Sequence, residues 1–225
     1  MGRIFIPTQG ADDWKRLLAD PEKQWRKGFS AAELANRWET SDGFPDEVFR
    51  LFSQSGISSF RNVELLLALP EYKVPLPGGK RPSQNDLFVL AKAGDGRLIS
   101  ITIEGKVSES FGPTLREWNV SKSAGKKKRL QFLTGHLGLT GTPNLDIRYQ
   151  LLHRTVSAVI EAARFNAPYA AMIVHSFSRE DLCFEDYRQF LVLFEACAEK
   201  NKLVFLKQTQ GINLYAGWAR AEKRT

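Results

Sequence analysis

Two cysteines and three histidines are the only thiol and imidazole groups in this chain of 225 residues. Cys183 and Cys197 stand far from any partner motif, which leaves no disulfide framework and no Cys/His zinc spacing. Both are expected as buried, reduced thiols. His136, His153 and His175 share no ligand spacing, and His175 ends the apolar run Ala170-Ala171-Met172-Ile173-Val174, as a core histidine would. Ser176 beside it lacks the turn that arms a hydrolase serine. Long apolar runs are missing too. None approaches the ~20 residues that span a bilayer, and no charged-then-apolar leader opens the chain. A soluble, cytoplasmic domain is the expectation. Gly78-Gly79-Lys80 lacks the upstream glycine of a phosphate-binding P-loop. No internal repeat is present.

Positive charge is plentiful. The net charge is +7 and the isoelectric point near 9.5, a balance that favours polyanionic partners. The charge gathers in two stretches. Lys80 and Arg81 follow the glycine pair, and Lys122, Lys126, Lys127, Lys128 and Arg129 crowd a Ser/Gly-containing segment read as a loop. Both flank residues 85–107, as backbone-gripping loops of a nucleic-acid binder would.

Residues 85–107 carry the chemistry. Two β-rich runs surround Gly94-Asp95-Gly96, a strong hairpin signal. With the turn centred on Asp95, residue i faces residue 190 minus i, which sets Asp86 across from Glu104. Ile99, Ile101 and Ile103 then point one way, and Ser100, Thr102, Glu104 and Lys106 the other. Opposed carboxylates repel across a ladder, and a divalent cation would relieve them through hard oxygen ligands. Lys106, on the same face, would steer a metal-bound water or stabilise developing phosphate charge.

An Asp in one strand followed by Glu-x-Lys in the next resembles the signature of the PD-(D/E)XK, or restriction-endonuclease-like, nuclease superfamily. Asp13-Trp14-Lys15 and Glu71-Tyr72-Lys73 also fit the bare D/E-x-K pattern, but neither sits in such a hairpin. Asn85 replaces the proline before the Asp, and Gly105 replaces the usual bulky middle residue. Gly105 weakens a strand interior while permitting close approach by a ligand. The resemblance implies a metal site of Asp86, Glu104 and the Gly105 carbonyl, taking Mg²⁺ or Mn²⁺. A glutamate on a preceding helix would complete it, here Glu64 within residues 60–69. A following helix, residues 148–165, would bring Gln150 and Arg154 to the phosphate. Tyr149, Leu152, Val156, Val159 and Ala163 form that helix's apolar stripe.

Around this centre, residues 11–19, 30–38 and 46–52 read as short helices, with Ser30-Ala31-Ala32-Glu33 a capping box. A short strand is expected at 3–7. A helix-turn-helix is the lesser reading of the N-terminal region; a helical layer anchored by Trp14, Trp25 and Trp38 is the main one. Later come a buried strand at 169–177, a helix at 184–200 and two strands at 202–208 and 212–218. The expected fold is α/β: a restriction-endonuclease-like core with a mixed sheet in α-β-β-β-α-β order (59–225), preceded by a mainly helical extension (1–58). The expected function is metal-dependent phosphodiester hydrolysis of nucleic acid, DNA ahead of RNA, with homodimer formation open and no membrane partner. The alternative is an inactive nucleic-acid-binding module on the same fold.

Overall fold

A computed structural model describes residues 8–141 and 143–221, so the strand expected at 3–7 lies outside the described residues. A 3-10 helix at Ala11–Leu17 leads into α1 (Pro21–Gln24), α2 (Ser30–Glu39) and α3 (Asp46–Ser53). β1 (Glu64–Val74), β2 (Ser83–Lys92) and β3 (Leu98–Lys106) then form an antiparallel meander. The chain crosses through α4 (Leu115–Trp118), α5 (Ala124–His136) and α6 (Tyr149–Arg164) to β4 (Tyr169–Ser176), parallel to β3. α7 (Phe184–Val192) precedes β5 (Leu203–Thr209) and β6 (Ile212–Arg220). The result is a mixed α/β fold on one six-stranded sheet, ordered β1-β2-β3-β4-β6-β5. No helix among the described residues is long and apolar enough to cross a membrane.

The hairpin pairs as the turn geometry requires. Leu87 faces Ile103, Phe88 faces Thr102 and Val89 faces Ile101, each pair summing to 190. The β3 side chains alternate as expected, but neither face is solvated. Ile99, Ile101 and Ile103 pack with Leu34 and Trp38 of α2 and Val48 and Phe52 of α3. Trp14 and Trp38 are buried and Trp25 packs at the edge of this cluster, so the N-terminal helices form a layer on the sheet. Their apolar faces are consumed there, as the helical-layer reading expects. The opposite face lies under α6, whose Leu151, Leu152, Val156 and Val159 meet Ala170, Met172 and Val174 of β4. Ala163 is exposed and Ala162 takes the core position.

The polar face of β3 positions α6. Ser100 donates to the Ala158 carbonyl (2.8 Å) and Thr102 to the Arg154 carbonyl (3.0 Å). Two residues of strand advance ~6.6 Å and four of helix ~6.0 Å, so the two ladders keep step. The next step brings Arg154 and Gln150 over Glu104 and Lys106.

The helix expected at residues 60–69 is not formed. A short 3-10 turn at Ser58–Phe60 gives way to β1. An apolar run such as Leu65-Leu66-Leu67-Ala68-Leu69 does not distinguish buried helix from strand by periodicity. Here the free edge of β2 decides it. β1 is itself an edge strand, which is why Pro70 is tolerated, and it carries a bulge between Leu65 and Leu67. The lysine-rich "loop" is α5, capped by Ser123, whose hydroxyl accepts from the Lys126 amide. Gly78, at φ +81°, packs backbone to backbone on Gly125, and a Cβ at either would collide with the other's carbonyl. α2 starts at Ser30 without a side-chain cap, and Glu33 instead accepts from the Gly28 amide. α7 is shorter than expected because the chain turns at Glu195, which adopts φ +56°. Cys183 is half-buried and Cys197 exposed, correcting the expectation for the latter.

Candidate active site

Three neighbouring strands each place one carboxylate in a row. The register that sets Pro70 opposite Leu87 and Tyr72 opposite Asn85 puts Glu71 beside Asp86. The 190 register puts Asp86 beside Glu104. These groups line a groove of about 420 Å³ with Gln84, Lys106, Glu109, Gln150 and Arg154. A second hollow of about 410 Å³ shares Gln84, Lys106, Gln150 and Arg154 and extends past Pro82, Phe111 and Tyr149. All five expected catalytic residues, Asp86, Glu104, Lys106, Gln150 and Arg154, thus reach one groove.

Glu104 is the pivot. It is 2% exposed, with one oxygen accepting from Lys106 Nζ (2.6 Å) and the other from Arg154 Nε (2.6 Å). Arg154 also lies 3.6 Å from Asp86, whose other oxygen accepts from the Gly105 amide at 2.9 Å. Burial would raise the Glu104 pKa, but the charges of Arg154 and Lys106 outweigh it and hold the carboxyl below its usual range. Asp86 behaves oppositely. Burial and the charge of Glu104 push it up to about 6, despite Arg154. Glu71 rises further, to about 8, through burial and the charge of Asp86, and it accepts from the Gln84 amide at 2.6 Å. Burial would lower Lys106, yet Glu104 and Asp86 keep it above its usual value. A groove that holds carboxyls near neutrality beside fixed cations is suited to proton transfer and phosphate binding.

Several expected residues sit elsewhere. Glu64 pairs with Lys92 (2.6 Å) at the other end of β1, six residues along β2 from Asp86, and takes no part in the groove. Glu71 is the acidic residue that β1 brings there. Its signal was available: reading 64–74 as a strand and continuing the antiparallel register places it next to Asp86. Gly105 admits α2 rather than a ligand, since a Cβ there would lie 3.4 Å from the Ser30 carbonyl and 3.5 Å from Leu34. Arg129 is no surface contact. It is 8% exposed and donates to the carbonyls of Leu76, Pro77 and Gly79, clamping the β1–β2 loop onto α5. Lys126 donates to the Trp118 carbonyl and lies over its ring. Lys80, Arg81, Lys127 and Lys128 remain exposed, and the Gly78–Gly125 contact gathers their two segments on one side.

The donor chemistry of Asp86 and Glu104 fits a hard divalent ion. Their present pairing does not leave Glu104 free, because both oxygens hold cationic side chains. Among the described residues, no three His, Cys, Asp or Glu are arranged to cage a metal. An ion on Glu104 would therefore enter only in exchange for Lys106 or Arg154.

The fold and groove define a mixed α/β protein with a buried acidic–basic centre at the end of its central strands. The chain belongs to the family described as Domain of unknown function (DUF6946), whose match spans residues 7–223. No match was found among curated proteins or solved structures.

Proposed function

We propose that the groove is a nuclease-like site that hydrolyses phosphodiester bonds of nucleic acid, DNA ahead of RNA. The observation that carries this reading is the convergence of Asp86, Glu104, Lys106, Gln150 and Arg154 in one groove from three separate elements. The element order is compatible with it: with α3 in place of the helix expected at 60–69 and with α4 and α5 intervening, the series α3, β1, β2, β3, α6, parallel β4 follows the α-β-β-β-α-β order that the resemblance implies. Glu71 takes the acidic role assigned to Glu64.

Asp86, Glu104 and the Gly105 carbonyl would hold Mg²⁺ or Mn²⁺, which supplies Lewis-acid stabilisation and a water of lowered pKa. Lys106, kept protonated beside Glu104, neutralises charge that builds on the phosphate. Arg154 exchanges its carboxylate partners for phosphate oxygens, which its planar fork matches. Gln150, one helical turn away, donates its amide to the same phosphate. Lys80, Arg81, Lys127 and Lys128 guide the backbone toward the groove.

The test is cleavage of single-stranded DNA, duplex DNA and RNA with Mg²⁺, Mn²⁺ or EDTA. Metal-dependent cutting that disappears in Asp86→Asn is expected, since that carboxylate is the most exposed of the central pair. The second reading, a binding module that performs no chemistry, is favoured by the closed pairing of Glu104. Salt-sensitive binding without cleavage of any substrate would establish that reading and overturn the first.

A further inference from the structure

The groove has two unlike walls. The sheet and α6 supply the charged one, and the N-terminal segment supplies the other through Leu18, Lys23, Gln24, Phe29 and Ser30. We propose that this second wall holds a nucleobase on Phe29, and that the chain reaching Asp86 and Glu104 is single-stranded nucleic acid. The proposal rests on reading the groove as a phosphodiester site.

Phe29 is not needed by the core. Trp14 and Trp38 of the same region are 2% exposed, whereas Phe29 is 36% exposed at the groove's mouth. Its backbone is nevertheless fixed on both sides. The Phe29 amide donates to the Arg26 carbonyl (3.0 Å), and its carbonyl accepts from the Glu33 amide (3.1 Å). The next amide, of Ser30, donates to Glu109 (2.8 Å), itself a groove residue. The ring is thus presented from a rigid turn, which limits the entropy lost when a ligand stacks on it. The Arg26 guanidinium lies 5.9 Å from the ring centroid, exposed Lys27 stands two residues before Phe29 in the chain, and Lys23, which pairs with Asp20 at 3.0 Å, lines the same groove. Aromatic faces set among cations are how single strands are held without sequence preference.

Duplex cannot satisfy both walls. Its bases spend both faces on their neighbours, so none is free for Phe29. Its phosphates ride on a stiff backbone, while the groove floor is as deep as Glu104. A single strand turns a base outward and feeds its phosphate inward.

The experiment is fluorescence anisotropy in EDTA, so that no cleavage is needed. The probes are a labelled oligothymidylate and a blunt hairpin duplex of equal length, with thymidine monophosphate as competitor. Phe29→Ala should weaken oligothymidylate binding about ten-fold or more, and Phe29→Trp should retain it. Duplex should bind more weakly and ignore both changes, and the mononucleotide should compete poorly. Unchanged oligothymidylate affinity in a folded Phe29→Ala protein would overturn the proposal. So would equal affinity for duplex, or displacement by the mononucleotide at matched concentration. Phe29-dependent binding by a protein that never cuts would sink hydrolysis alone, and cutting with Phe29-independent binding would sink this wall alone.

Discussion

Two buried ionic networks sit back to back across the sheet, at neighbouring residues of β3 and β4, and they behave differently. Beneath the N-terminal helices, Glu47 accepts from Arg37 Nε (2.8 Å) and from His175 Nε2 (2.7 Å). Trp38 donates to His175 Nδ1 (3.2 Å), so the imidazole is neutral with its proton on Nε2, and burial lowers its pKa further. One carboxylate meets one guanidinium and a neutral ring, and every group is matched. Burial would raise Glu47, but the hydrogen bonds from His175 and Arg37 bring it down to about 2. On the other face three carboxyls share two cations. Glu104 takes the hydrogen bonds of both, and burial with the neighbouring carboxylate charge displaces Asp86 and Glu71 toward neutrality. Surplus carboxylate open to a groove is what sets the candidate site apart from the matched network on the other face.

The largest effect should come from Glu104→Gln, which leaves Lys106 and Arg154 buried without their anion. A loss of about 3–5 kcal/mol is expected, read as a marked fall in Tm; under the proposed function the fraction that folds should also fail to cleave. Glu47→Gln should cost somewhat less, about 2–4 kcal/mol, because Arg37 reaches solvent. Under the proposed function its folded fraction should cut and bind as the unaltered protein does; altered activity there would erase the contrast between the faces.

pH separates the networks next. Glu47, lowered from 4.5 to about 2, contributes stability that is complete above its unfolded value and lost as pH falls through that window. Glu71, raised from 4.5 to about 8, favours the folded state only while protonated, so its contribution is lost as pH rises from 4.5 to 8. Glu71→Gln should therefore raise stability at pH 8 by on the order of 1–2 kcal/mol relative to its effect at pH 4. Denaturant titrations at the two pH values measure this, and equal shifts would mean that Glu71 is not held neutral.

The smallest effect concerns the surface. If the proposed nucleic-acid path runs over them, Lys127→Ala with Lys128→Ala should flatten the salt dependence of DNA binding by roughly 1–2 units while leaving stability within about 0.5 kcal/mol. An unchanged slope would place the nucleic-acid path along Lys80, Arg81 and the Phe29 wall.

The sequence by itself determined the parts governed by local rules. Alternation and a Gly-Asp-Gly turn set the β2–β3 register, and hence the approach of Asp86 to Glu104. A 3.6-residue stripe set α6 and the shared face of Gln150 and Arg154. Only the tertiary structure decided the rest. Whether the leucines after Glu64 coil or extend depended on the free edge of β2, which no local propensity encodes. That choice sent Glu64 away and brought Glu71 in. Arg129 reads like its lysine neighbours until the carbonyls of residues 76–79 surround it, and nothing in the local sequence around Phe29 says that its ring stays exposed at a groove. Side-chain roles set by partners on other elements are fixed by packing, because burial and charge pairing arise only once those elements meet.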